Sequence, residues 1–230
     1  MTLHLKPATD LAERVLLPGD PHRALAVAQH LLDGPKMFNH KRGLWGYTGI
    51  AADGDPLTVQ STGMGGPSAA IVTEELIDLG ARRLVRIGTC GALVDDLELG
   101  ELVAARTVLS ADGASAALGA NGALGSDPGL LELLLGAGAR PGTAVSTDLF
   151  YDPREGEAAA WVERGASVVE MEAAAILQVA DRRGVAAACV LAVTDVPSAG
   201  GRLRVDAEQL EGIGLRLGET GYAAVAARTR

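Results

Sequence analysis

Aromatic side chains are scarce: two Phe, two Trp and three Tyr make up 3% of the 230 residues. A core must therefore be filled by Leu, Val, Ile and Ala, and the 30 glycines imply many tight turns or close backbone approaches. Cysteine is nearly absent as well. Cys90 and Cys189 each sit in an apolar strand context and match no metal-ligand spacing, which makes them small buried hydrophobes in a reducing compartment. No uninterrupted apolar run could span a bilayer, and the opening MTLHLKPATD has no apolar signal core, so a soluble cytoplasmic protein is expected, without membrane contact. Positive charge is short. A net charge of −9 argues against general affinity for nucleic acid, and any anionic substrate must meet a local cluster of arginines. No repeat, linker or charge block divides the chain, so one α/β domain over residues 1–230 is expected.

The most informative stretch is residues 60–91, QSTGMGGPSAAIVTEELIDLGARRLVRIGTCG. An apolar run at 57–60 enters a glycine-rich loop and then a helical period opened by Pro67, with Ile71, Leu76 and Leu79 recurring on one face before Gly80. Leu84, Val85 and Ile87 form the next strand, and Gly88-Thr89-Cys90-Gly91 reads as a second small-residue loop. A β-α-β unit of this length puts both loops on the carboxyl edge of a parallel sheet, where open α/β folds bind ligands.

The same alternation runs through the rest of the chain. Strand 15–17 is followed by helix 24–32, a meander covers 37–50 and 56–60 with a turn at Asp53-Gly54, and 102–109 is a strand. Residues 111–129 are so rich in Gly, Ala and Ser that an exposed loop is expected. Then come helix 130–135, strand 143–146, helix 153–164, a short strand at Val168-Val169, helix 172–183, a buried strand 186–193 ending at Thr194-Asp195, and a helix from about Asp206. Gly212, Gly214, Gly218 and Gly221 weaken that last helix by roughly 1 kcal/mol each, so packing must hold it.

Several polar residues stand at the ends of these strands. Gly19 with Arg23 is either a turn beside a surface cation or an anion-binding loop. Arg86 follows Leu84 and Val85 in a core strand, where a guanidinium is costly unless it is paired or bound to an anion. Glu170 and Glu172 flank Met171 in an apolar setting; one can cap the helix that follows, leaving the other to accept hydrogen bonds from hydroxyl groups. Asp195 is either a general acid or a turn residue beside Pro197.

Taken together, LPGDPHRA, NHKRGLWGYTG, STGMGGPSAAIVTEEL, VRIGTCGA, STDLFY, VEMEAAAI and VTD resemble, in order and spacing, the nucleoside phosphorylase family that includes the hexameric bacterial purine nucleoside phosphorylases and the uridine phosphorylases. The resemblance implies a mixed central sheet, partly closed like a barrel and flanked by helices, and phosphorolysis of a purine nucleoside to a free base and ribose 1-phosphate. It implies that Gly19, Arg23, Arg86 and Thr89 bind phosphate, with Arg42 supplied by a neighbouring subunit. On the nucleoside side it assigns His4, also across the subunit boundary, with Met64, Cys90, Gly91, Phe150, Glu170, Met171, Glu172 and Thr194. Asp195 matches the acid that protonates the purine ring. Its arginine partner is unmatched, because SAGGRLRVDAE is shorter than the family segment and offers both Arg202 and Arg204. No metal or cofactor is implied, inorganic phosphate being a co-substrate, and the assembly implied is a homohexamer, a trimer of dimers. Loss of Arg86 would then abolish activity and leave the fold intact.

Other readings stand beside this one. STGMGGPS and ADGAS are also similar to uridine phosphorylases. A nucleosidase would use water in place of phosphate but lacks the arginine set, and a non-catalytic nucleoside-binding protein would not need an acid. A dinucleotide-binding fingerprint fails at Ser68, where the third glycine should stand.

Overall fold

In a computed structural model that describes residues 2–226, strand β1 (Arg14–Leu17) is buried along its whole length. Val15 and Leu17 join one side of the core and Leu16 the other, as alternation along a strand covered on both faces requires. Parallel to β1 lie β4 (Pro56–Gln60) and β5 (Arg83–Ala92). Outward from β4, β3 (Gly46–Ala51) and β2 (Leu32–Asn39) form the expected antiparallel meander, turning at Gly54 with a φ of 83°.

The other half of the sheet closes on itself. β10 (Ala186–Ser198) pairs with β6 (Leu102–Ala111), β6 with β8 (Arg140–Thr147), β8 with β9 (Val168–Glu170), β9 with β5, and β5 with β10 again. The result is the mixed, barrel-like sheet expected. Short β7 (Ala123–Gly125) and β11 (Gly201–Arg204) are added antiparallel to β6 and β10. Because β10 covers one edge of β5 from Arg83 to Gly91, β1 over Arg83 to Arg86 and β9 over Gly91 and Ala92 must share the other. On that second edge, between β1 and β9, Ile87, Gly88, Thr89 and Cys90 have no strand beside them. The sheet divides there, and a crevice opens beyond the carboxyl ends of β1 and β4.

Seven helices among the described residues cover the sheet. On one face α1 (Pro21–Leu31), α4 (Pro128–Gly136) and α7 (Ala207–Ala226) share a core with Val85, Ile87 and Val190. On the other, α2 (Gly66–Asp78) and α6 (Ala173–Arg183) pack with α3 (Gly113–Ala117) beside them. The glycines of α7 are what let it approach: a Cβ on Gly218 would lie 2.7 Å from Val27 Cγ1, and one on Gly221 2.6 Å from Ile87 Cγ2.

Four expectations are corrected. Residues 88–91 are strand, because β10 pairs with each of them, with one register shift between the partners of Cys90 and Gly91. Residues 111–129 hold α3, β7 and the start of α4; Asp112 caps α3 by accepting from Ser115 N at 2.7 Å, and β7 finds a free edge of β6. Ile71 is 40% exposed, since α2 buries Ala69, Val72, Thr73, Leu76 and Ile77 instead. The helix expected over 153–164 is only α5 (Glu157–Glu163), which starts after left-handed Gly156.

An ion pair between buried Arg14 and exposed Asp53 ties the meander to this frame. Arg14 donates to both carboxylate oxygens of Asp53, to Asp55 O at 2.7 Å and to Pro56 O at 2.8 Å. The bond from Arg14 holds the Asp53 carboxyl down to about 2. A folded value below the ordinary 3.8 means that the pair's stabilisation is whole above that pH and is lost as pH falls from 3.8 toward 2. Asp53→Asn should flatten the acid limb of a plot of Tm against pH; an unchanged limb would remove Asp53 from the acid response.

Candidate active site

The crevice is floored by β5 and rimmed by the loops after β1, β4 and β9. In the loop STGMGG, Gly65 has φ 85° and ψ 156°, a conformation open essentially to glycine alone. That conformation aims its N–H at Glu172 Oε1, 2.6 Å away. Next to it, Thr62 N donates to Pro18 O at 2.8 Å and Gly63 N to Gly19 O at 3.0 Å, so the loops after β1 and β4 are fastened together.

The two glutamates take different tasks. Glu170 accepts from the backbone N–H groups of Glu172 at 2.9 Å and Ala173 at 2.9 and 3.0 Å, from the Ser146 hydroxyl, and from Arg86 Nε at 2.8 Å. Both its oxygens are committed: it caps α6 and holds Arg86. Glu172 Oε2 lies 2.5 Å from Arg86 Nη2, and its other oxygen reaches the loop at Gly65. Gly88 makes room for this, because a Cβ there would lie 2.7 Å from Arg86 Cζ. Ser146 opens STDLFY and Gly88 lies within VRIGTCGA, but neither residue was singled out in the sequence, because the bond to Glu170 and the space for Arg86 depend on partners distant along the chain.

Burial works against the charge of Arg86, but the carboxylates of Glu172 and Glu170 outweigh it and push its pKa above the ordinary value. One guanidinium shared by two carboxylates leaves a negative charge over. Desolvation pushes Glu172 up, against the pull of Arg86, and the neighbouring Glu170 charge adds to the rise. Arg86 Nη1 is nevertheless buried and has no partner among the described residues. Arg23, half-buried in the first turn of α1, forms no hydrogen bond or ion pair with a described residue. Desolvation lowers its pKa, Asp20 opposes this, and Arg86 adds to the lowering. An orphaned guanidinium donor beside an unpaired guanidinium is an arrangement that an anion completes.

At the far end of β5 the side chains change character. Thr194 Oγ1 donates to Cys90 O at 3.2 Å, and Asp195 stands opposite Gly91, whose missing Cβ would lie 3.1 Å from Asp195 Oδ1. β10 continues to Ser198 and β11 returns beside it, a hairpin the sequence reading did not anticipate. That hairpin decides between the two arginines. Arg202 donates through Nε to Asp195 and through Nη2 to Ala92 O at 2.7 Å, while Arg204 lies over the Phe150 ring, 5.9 Å from its centroid. Cys90 is buried, donates to Ala192 O at 3.4 Å, and has its thiol pKa pushed up by desolvation.

Gly19, Arg23, Arg86, Thr89, Glu170 and Glu172 thus gather where the sheet divides, and Cys90, Gly91, Thr194 and Asp195 continue along the same strand pair. Met171 is half-buried after β9, while Met64 and Phe150 stand exposed, 86% and 62%. His4 and Arg42 are not brought in. His4 Nδ1 lies 2.9 Å from Glu75 Oε1, nine residues and about 13 Å along α2 from its first turn. Arg42 is exposed in the turn between β2 and β3, and is the one described non-glycine residue with a positive φ, 57°. Among the described residues, no cluster of His, Cys, Asp and Glu could hold a metal ion, and no helix is long and apolar enough to cross a membrane.

A family profile described as Phosphorylase superfamily matches residues 13–216. A "Purine nucleoside phosphorylase DeoD-type" of Jannaschia sp. (strain CCS1) is 38% identical over 205 residues, 85% of this chain and 87% of that protein. Proteins of the same name from Caldanaerobacter subterraneus subsp. tengcongensis, 37% identical over 85% of this chain and 88% of theirs, and Alkaliphilus metalliredigens, 34% over 91% and 94%, are similar to it as well. In fold the chain resembles a crystal structure of uridine phosphorylase from Vibrio fischeri ES114, with a TM-score of 0.83 at 24% identity over 95% of this chain and 93% of that one. With a profile that spans most of its length and relatives of this identity and coverage, the chain belongs to the phosphorylase superfamily.

Proposed function

We propose that the protein cleaves purine ribonucleosides and deoxyribonucleosides with inorganic phosphate, giving the free base and (deoxy)ribose 1-phosphate. The observation that carries this is the unsatisfied pair of guanidiniums, Arg23 and Arg86, at the division of the sheet. Phosphate fills that position, held by both arginines, the Thr89 hydroxyl, the Gly19 backbone and Arg42 of the partner subunit. One of its oxygens attacks C1′ of the sugar as the bond from C1′ to the base nitrogen breaks. Glu172 accepts the ribose hydroxyls, Met64 and Met171 pack on the sugar, Phe150 packs on the base, and Asp195 gives a proton to the imidazole ring as the base leaves. Fixed cations at the developing charge are worth more here than in water, because the site is largely buried. No cofactor takes part.

Base release should require phosphate or arsenate. A panel of purine and pyrimidine nucleosides, incubated with and without phosphate, tests this: undiminished release without phosphate would identify a hydrolase, and uridine cleaved faster than any purine nucleoside would identify the pyrimidine enzyme that STGMGGPS and ADGAS also resemble.

The active unit on this reading is a homo-oligomer, a hexamer built as a trimer of dimers, with His4 and Arg42 crossing the dimer boundary. The seating of His4 on Glu75, away from the chain's own crevice, supports it, as does the exposure of Arg42 on a backbone of positive φ. Arg42→Ala protein mixed with Asp195→Asn protein should regain activity after subunit exchange, since one pocket of each mixed dimer is then intact. No recovery despite proven exchange, or full activity in a monomer, would rule out shared sites.

A further inference from the structure

Asp195 and Arg204 are directly opposed in the antiparallel pairing of β10 with β11, so their side chains leave the same face of the hairpin. Arg202, two residues before Arg204, shares that face. The Asp195 carboxylate already holds one guanidinium, that of Arg202. Arg204 forms no hydrogen bond or ion pair with a described residue; it is spread beside Phe150, a ring 62% exposed. An acid, a free cation and an aromatic plate therefore converge at one mouth, and the cation lacks an acceptor.

On the purine reading above, we infer that Arg204 is a specificity-determining residue that donates to the exocyclic oxygen at C6, so that the preferred substrates are 6-oxopurine nucleosides. With the base lying on Phe150 and Asp195 at the imidazole nitrogen, the neighbouring group on that edge of the ring is the C6 substituent. In hypoxanthine and guanine that substituent is an acceptor, which a guanidinium matches; in adenine it is an amino donor, which a guanidinium opposes. Cross-strand opposites stand about 5 Å apart at Cβ, a separation that lets two side chains address adjacent atoms of one base. A site built to hydrogen-bond one group discriminates strongly against the analogue that lacks it.

The test compares kcat/KM for inosine, guanosine and adenosine at saturating phosphate in the wild type, Arg204→Ala and Arg204→Gln, together with equilibrium binding of hypoxanthine and adenine. The wild type should favour inosine over adenosine by more than ~10-fold, the size of a lost hydrogen bond to a charged group. Arg204→Ala should collapse that ratio toward one, and Arg204→Gln, whose amide can both donate and accept, should tilt it toward adenosine. A wild type that uses adenosine as well as inosine, or a ratio unmoved by Arg204→Ala, overturns the inference. If no nucleoside is cleaved in a phosphate-dependent way, the reading of the reaction fails by itself, and binding of hypoxanthine against adenine still decides the role of Arg204.

Discussion

Arg86→Ala is expected to abolish phosphorolysis and also to lower the unfolding free energy by about 3–5 kcal/mol, the usual cost of stripping the partner from a buried ion pair. Seen as a phosphate ligand alone, Arg86 could be removed at no cost to the fold. A stability cost is expected because the guanidinium is 3% exposed and separates two carboxylates that would otherwise face each other without a counter-charge. For a domain of this size the loss corresponds to a Tm lower by roughly 6–20 °C. Arg23→Ala provides the contrast. Among the described residues it has no hydrogen-bond or ion-pair partner to strand, so its stability should stay within about 0.5 kcal/mol of the wild type while phosphorolysis falls by at least ~10-fold. Wild-type melting of Arg86→Ala would refute the ion-pair account, and undiminished activity of Arg23→Ala would remove the phosphate site.

Asp195→Asn is expected to slow purine nucleoside cleavage by ~10²–10⁴-fold, the range for loss of a general acid. The asparagine oxygen can still accept from Arg202 Nε, so the hairpin should keep its place and only the proton is missing. A purine departs poorly as an anion, and the deficit should therefore be concentrated in kcat. A nucleoside whose base is already cationic, such as 7-methylguanosine, needs no such proton and should lose far less. If adenosine and inosine are cleaved at the wild-type rate by this variant, or if 7-methylguanosine suffers equally, Asp195 is not the acid.

Much of the frame was legible because it rests on local signals. The strand before Gly19, the glycine loop before Pro67 and the strand carrying Arg86 each announce themselves through apolar runs and turn residues, and the structure has strands at Arg14–Leu17, Pro56–Gln60 and Arg83–Ala92. What was not legible depends on pairings distant in sequence. Gly88 to Gly91 look like a loop until β10 is laid beside them, and β7, the three residues Ala-Leu-Gly, is too short to read as a strand without β6. Ile71 shows the limit of periodicity: a helix face rotated by one residue satisfies the same pattern of apolar positions. At the site, the residue types were visible but their partners were not. Two glutamates around Met171 left their tasks open, and only Ser146 and the N–H groups of α6 show that Glu170 is consumed in holding Arg86. Likewise, two arginines in SAGGRLRVDAE could serve Asp195, and the hairpin register separates them.

The division of the sheet along β5 also sets the order in which the molecule can assemble. Arg86 meets Glu170 across 84 residues, and Arg83 is matched with Ala186, 103 positions later. On a chain being synthesised from its amino end, β1, β4 and β5 can collapse early, yet Arg86 then has neither carboxylate and β5 presents a bare edge to its surroundings. Contacts so far apart in sequence slow folding, and an unpaired strand edge in an unfinished chain invites association with other chains. The crevice that would receive the substrate is thus the last part of the sheet to be completed, and the interval before β9 and β10 arrive is when this protein is most exposed to aggregation.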